Sequence, residues 1–211
     1  MKDWMRIFEK EYKPFLNIGI SKKRYAQYKN LYQRAPGFEI IFKELLSIKN
    51  KDFQIIETGS TRKPGNWKDG NSGIVFSDFV KTVGGFVRSV DINQKAVDTA
   101  NANIDSDFHK AFCSDSVSWL SSLDNLEKVD LFYLDSYDVD WDNDIPSAEH
   151  HLKEFLSIEK FITKDTIIAI DDNVLGREDN KRAGKGRLIF EYLDSKNIKP
   201  IYDGYQIIYR F

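Results

Sequence analysis

Four short apolar runs in this chain each stop on a carboxylate. Phe53-Gln54-Ile55-Ile56 ends at Glu57, Phe86-Val87-Arg88-Ser89-Val90 at Asp91, Val129-Asp130-Leu131-Phe132-Tyr133-Leu134 at Asp135, and Thr166-Ile167-Ile168-Ala169-Ile170 at Asp171-Asp172. Each is short for a helix and rich in β-branched or aromatic residues, so each reads as a buried strand. Between them lie stretches of helical period: Ile74, Val75, Phe79 and Val80; Ala96, Val97 and Ala100; Ala148, Leu152, Phe155 and Ile158. Strands alternating with helices dictate a mostly parallel sheet with helices on both faces, and ligands of such sheets sit outside the carboxyl ends of the strands. The four acids therefore share one rim. Unpaired carboxylates gathered there repel, so the pattern demands a cation among them.

The first strand carries the second constraint. After Glu57 come Thr58, Gly59, Ser60 and Thr61, then a run of turn formers and polar residues to Asn71 in which Trp67 is the one large apolar side chain. That run is a loop, and a helix opens at Ser72. Strand, glycine-containing loop and helix form the first half of a nucleotide-binding βαβ unit, with Gly59 letting the backbone pass close to a ligand. Asp91 ends the next strand, with Ile92 beside it, and is placed to accept ribose hydroxyls. Glu57 and Asp91 are 34 positions apart, against roughly 20 in the short dinucleotide version. The excess is the loop, read as an insertion folding over the ligand through Trp67. One glycine where dinucleotide folds use three argues against NAD or FAD and for a ligand without a pyrophosphate.

A third strand is expected over Phe108–Cys113, ending in Ser114-Asp115-Ser116; Asp115 or Ser116 can cap the following helix and also meet an adenine. His109 begins that strand and reads as structural. The loop after Asp135 holds Asp138, Asp140, Asp142 and Asp144. In the helix behind it His151 faces inward and His150 outward, beside Glu154. Gly184-Lys185-Gly186 lies in a basic segment, Arg177 to Arg187, that fits no P-loop frame. Asp203-Gly204 between Lys199–Tyr202 and Tyr205–Phe211 predicts a closing antiparallel hairpin.

The length, 211 residues, suits one α/β domain (51–211) with an N-terminal helical segment (1–50) packing on it. Within that segment Tyr25, Tyr28, Leu31 and Tyr32 recur at helical spacing among Lys22, Lys23, Arg24, Lys29 and Arg34, a pattern that either grips nucleic acid or packs as an amphipathic helix; the second is preferred. A net charge of −2 recruits neither nucleic acid nor membrane, and one cysteine, Cys113, excludes an internal disulfide. No apolar run reaches spanning length, so a cytoplasmic protein is expected, with a homo-oligomer compatible with the sequence.

With strand-end acids and a final hairpin in this order, the chain resembles the class I S-adenosylmethionine-dependent methyltransferases from Ile55 to Phe211. The resemblance implies a Rossmann-like methyltransferase fold: a seven-stranded, mostly parallel sheet with a C-terminal antiparallel hairpin. It implies cofactor contacts from Glu57, Gly59, Ser60, Thr61, Trp67, Ser72, Asp91, Ile92, Asp115, Ser116 and Asp135. A narrower similarity is to metal-dependent O-methyltransferases of the catechol type and their sugar-modifying relatives. It implies Mg²⁺ on Asp135, Asp172 and Asn173 and a small hydroxylated acceptor, sugar-like or phenolic. The lysine base of that group, three positions after the first metal-binding Asp, is here Asp138. Asp138 and His151 are then the candidate bases. Two other classes stay open: a non-catalytic S-adenosylmethionine-binding module with a protein-interaction role, and a nicotinamide-dependent oxidoreductase, which the sparse glycines disfavour.

Overall fold

The computed structural model describes residues 2–16, 26–29, 31–67, 71–124 and 128–211. From Phe53 onward the expected strands and helices form, with shifted ends. In chain order they are α1 (Lys2–Ile7), α2 (Lys13–Leu16), β1 (Tyr28–Lys29), α3 (Ala35–Ile48), β2 (Phe53–Thr58), α4 (Ser72–Val83), β3 (Gly85–Asp91), α5 (Gln94–Asn103), β4 (His109–Cys113), α6 (Ser116–Ser121), β5 (Leu131–Leu134), α7 (Ile145–Ile158), β6 (Ile167–Ile170), β7 (Asn173–Gly176), β8 (Arg182–Gly184), α8 (Arg187–Ser195), β9 (Tyr202–Asp203) and β10 (Ile207–Arg210). Seven strands make the main sheet in the order β4-β3-β2-β5-β6-β10-β9. All neighbours are parallel except β10, which runs antiparallel to β6 and β9. The expected sheet and closing hairpin are both present. Among the described residues no helix is long and apolar enough to cross a membrane.

Strand alternation splits the core in two. Phe53, Ile55, Leu131, Tyr133, Ile167, Ala169 and Ile208 point to one face, where α1, α3 and α4 bury Trp4, Phe38, Phe42, Phe76 and Phe79. Ile56, Phe132, Leu134, Ile168, Ile170, Ile207 and Tyr209 point to the other, against Leu120 of α6, Phe155 and Ile158 of α7, and Ile189 and Leu193 of α8. Central strands buried on both faces explain why their sequences are continuous apolar runs rather than alternating ones.

The N-terminal segment departs from expectation. Tyr28 and Lys29 are not helical; they pair antiparallel with β7, and β7 pairs with β8, making a second, three-stranded sheet. Lys22, Lys23, Arg24 and Tyr25 lie outside the described residues. Tyr32 has φ +62°, a left-handed turn conformation that no helix accommodates, so the tyrosine periodicity does not extend as a helix through it. The basic segment Arg177 to Arg187 thus contributes β8, which with β7 and β1 forms this small sheet at the carboxyl edge of the large one.

Candidate active site

Gly59 sets the site. Its φ is +87°, and a Cβ there would lie 2.7 Å from the Asp135 carbonyl oxygen, so the turn after β2 passes the end of β5 with room for hydrogen alone. The Gly59 amide donates to the Val90 carbonyl (2.7 Å), drawing the turn toward the end of β3. There Asp91 Oδ2 accepts from the Ser60 amide (3.0 Å) and hydroxyl (3.2 Å), and Oδ1 from the Asn93 amide (2.8 Å). The carboxylate is thus fixed on the rim, where a ribose acid is expected.

Two adjoining cavities follow. The smaller, about 30 Å³, is lined by Glu57, Gly59, Ser60, Ser72, Asp91 and Asp135 together with Arg62 and Ser136. The larger, about 270 Å³, is lined by Asp91, Ile92, Asp115 and Ser116 with Val90, Ser136, Tyr137 and His150. Nine of the expected cofactor residues therefore converge on one continuous cleft. Ile92 is 75% exposed, an apolar side chain left standing at the lip. Asp115 caps α6 by accepting from the Ser118 amide (2.8 Å) while still lining the cleft, so capping and cofactor contact coexist. His150, expected to point outward, faces this cavity: its Nε2 meets the Ser116 hydroxyl at 2.9 Å, and its ring lies 5.5 Å from that of Tyr137. Tyr137 and His150 are cleft residues that sequence reading missed; the aromatic at 137, two positions past a strand-end acid, was their available signal.

Glu57 is buried and accepts from Ser72 and, at 2.7 Å, from Ser89, which in turn meets His109 Nε2 at 2.8 Å. Burial pushes Glu57 up to about 8 and His109 down to about 4, and His109 lies buried behind the site against Ser89. Thr61 is buried next to Glu57, and its hydroxyl has no hydrogen-bond partner among the described residues. Trp67 does not close over the cleft. Its ring stacks on Phe15 (5.5 Å) and meets Tyr12 edge-on (5.8 Å), because the N-terminal helices offer it apolar surface that the polar rim lacks.

Neither candidate base is among the residues lining the two cavities. The Asp138 side chain is 71% exposed and paired with Arg62 (2.8 Å) on the surface. His151 is fully buried; its Nδ1–H donates to the Ser147 carbonyl (2.7 Å), and burial lowers it to about 4. Beside it Glu154 accepts from Thr58 (3.1 Å) and Ser136 (2.6 Å), tying α7 to the ends of β2 and β5.

The cation demanded by the rim comes from the chain itself. Lys185, 1% exposed, places its ammonium 2.5 Å from Asp135 Oδ1 and 2.8 Å from Asp172 Oδ2. Arg34, entering α3, lies 2.7 Å from Asp171 and 4.0 Å from both Asp135 and Asp172. Burial alone would neutralise Lys185, but the carboxylates outweigh it and hold it cationic. Burial raises Asp171 to about 7 and raises Asp135, whereas in Asp172 it is overcome by Lys185 and Arg34, which hold that carboxyl low. Asp172 has φ +54° and accepts from the Tyr205 hydroxyl. Asn173 does not fit as a metal ligand: its Oδ1 accepts from the Gly186 amide (2.7 Å), and its Nδ2 donates to the carbonyls of Ile170 (2.8 Å) and Asp171 (2.9 Å). Among the described residues no cluster of three His, Cys, Asp or Glu side chains could hold a metal ion.

Two arginines of the basic segment are likewise spent internally. Arg182 forks onto Asp203 (2.7 and 2.6 Å) and stacks on Phe190, and Arg187 pairs with Asp144 (3.1 Å). Both border a cavity of about 450 Å³ that also includes Tyr28, Trp141 and Arg177.

No protein-family profile matches the chain, and no curated protein is significantly similar to it. Solved structures share its fold. The MycE methyltransferase from the mycinamycin biosynthetic pathway, in complex with Mg and SAH, superposes with a TM-score of 0.58 at 14% identity, over 89% of this chain and 52% of that one. This chain thus spans about half of MycE. CalS11, a TDP-rhamnose 3'-O-methyltransferase of calicheamicin biosynthesis, superposes with a TM-score of 0.53 at 12% identity, over 100% of this chain and 92% of that one.

Proposed function

We propose that this chain is an S-adenosylmethionine-dependent O-methyltransferase acting on a small hydroxylated, sugar-like acceptor. The observation that carries the reading is the cleft at Gly59: a close-passing turn, a fixed rim carboxylate at Asp91 and a capped Asp115-Ser116 loop enclose one continuous cavity on this sheet order. The residues fit the cofactor. Asp91 would take the ribose hydroxyls, Ile92 and Tyr137 the faces of the adenine, and Glu57 with the unpartnered Thr61 hydroxyl the aminoacyl end. Bound S-adenosylmethionine supplies a methyl group on a sulfonium, open to in-line attack by an oxygen nucleophile.

With Asp138 on the surface and His151 sealed, Asp135 is the remaining group at the junction of cleft and charge cluster. It is 12% exposed and lines the smaller cavity, with Oδ1 on Lys185 and Oδ2 4.0 Å from Arg34. We assign it the acceptor proton. Arg182 and Arg187 of the basic segment are already paired with carboxylates. CalS11, one of the two solved structures named above, is a TDP-rhamnose 3'-O-methyltransferase, which supports a sugar-like acceptor.

Titration calorimetry with S-adenosylmethionine and its demethylated product tests the reading. Binding is expected in the wild type, weakened roughly tenfold or more in Asp91→Ala through loss of charge-assisted hydrogen bonds. Absence of heat with either ligand would overturn it. Formation of S-adenosylhomocysteine with hydroxylated acceptors then separates an enzyme from a non-catalytic binding module.

A further inference from the structure

We propose that the Lys185 ammonium is this chain's resident cation between Asp135 and Asp172, standing where a divalent metal would have to sit, so that the site takes its acceptor without a metal. Geometry carries this. One nitrogen lies 2.5 Å from one carboxylate and 2.8 Å from the other, leaving no space between those oxygens for a second cation. The third oxygen donor a metal would need is turned away, since the Asn173 amide is used at both ends by backbone groups.

The backbone is shaped to deliver this lysine. A Cβ on Gly184, at φ +110°, would fall 2.0 Å from the Asp172 carbonyl oxygen, and one on Gly186 would fall 2.7 Å from Asn173 Oδ1. Only glycines on both sides let β8 and the start of α8 lie flat against the Asp171-Asp172-Asn173 turn. The Lys185 amide donates to the Asp172 carbonyl (3.2 Å), and the Gly184 amide is held by Asp144 Oδ2 (2.8 Å). The lysine is therefore clamped at its backbone and at its tip. Two of its ammonium hydrogens fix Asp135 and Asp172, which makes Lys185 a positioning residue for the group that faces the cleft. An ammonium supplies charge and directed hydrogen bonds but no open coordination sphere, so the acceptor is held by its hydrogen bonding and shape rather than by chelation.

The role of Asp135 in methyl transfer rests on the proposed function; the absence of metal binding does not, and it is read separately. Calorimetric titration of the full wild-type chain with MgCl₂ and with MnCl₂ should give no binding tighter than about 10 mM, far weaker than dedicated oxygen-ligand sites, and turnover should survive EDTA. Lys185→Ala, which vacates the position and leaves both carboxylates, should gain Mn²⁺ binding by roughly tenfold or more. Lys185→Met, which keeps the volume without the charge, should bind no metal, lose turnover by at least about tenfold and still bind the demethylated cofactor. Sub-millimolar metal binding by the wild type, loss of turnover in EDTA, a folded Lys185→Ala that binds no Mn²⁺, or full activity in Lys185→Met would each overturn the proposal. If Lys185→Ala does not fold, the wild-type titration and Lys185→Met decide it. Failure of cofactor binding with metal still excluded would strike the proposed function and leave this inference standing.

Discussion

Single residues settle the chemistry of the rim. Gly59 combines a left-handed backbone with a 2.7 Å approach to the Asp135 carbonyl, so Gly59→Ala should cost about 1–3 kcal/mol and open the cleft floor. Thermal melting and cofactor calorimetry should both register the loss, and wild-type behaviour in either would contradict the geometry. Burial sets the pH response. Glu57, raised to about 8, and Asp171, raised to about 7, bind protons more readily folded than unfolded. Their contribution is complete at acid pH and is lost as pH climbs through those values. His109 and His151, lowered from 6.5 to about 4, act oppositely: their contribution is complete above 6.5 and fades as pH drops toward 4. Between pH 6.5 and 8 the raised acids are still changing while the two lowered histidines are not, so the melting temperature should fall across that interval. Glu57→Gln, which mimics the protonated acid, should flatten the fall; an unchanged slope would show that Glu57 is not its source.

At the level of elements, sequence pattern and structure agree where burial alone dictates the outcome. The central strands were legible as apolar runs, α4 and α7 as helical stripes, and β9–β10 from Asp203-Gly204. What escaped was long-range. β1 and β8 are two and three residues long, too short for any periodicity, and exist because each can pair with β7. Gly184-Lys185-Gly186 was visible as a motif, but its meaning depends on Asp172 and Asn173 lying opposite, a contact no local window contains. Trp67 followed apolar neighbours from the N-terminal helices, and Asp138 followed Arg62 across the surface. That exposed pair is worth no more than about 1 kcal/mol. Asp138→Ala should therefore keep turnover within about threefold of wild type, as expected of a group outside the reacting geometry, whereas Asp135→Asn should abolish it. A large loss in Asp138→Ala would restore it as a base.

For the molecule as a whole, the first fifty residues are no appendage. Trp4 is buried against Phe42 and Phe79, with ring centroids 5.0 and 5.4 Å away, and shares one core with β2 and α4. Trp4→Ala should cost roughly 3–5 kcal/mol in denaturant unfolding, with one cooperative transition. A separate early transition would mean that residues 1–50 and 51–211 are independent units. Arg34 extends the same dependence to the site. It is carried by the segment before the sheet, while Lys185 lies after five of the seven strands, and the three aspartates they hold fall between. During synthesis the acids leave the ribosome before Lys185, and β10, which must slot between β6 and β9, follows later still. A product stalled before Lys185 therefore carries a half-compensated rim and an unfilled sheet, so the charge cluster closes only after β6, Lys185 and β10 have followed one another out.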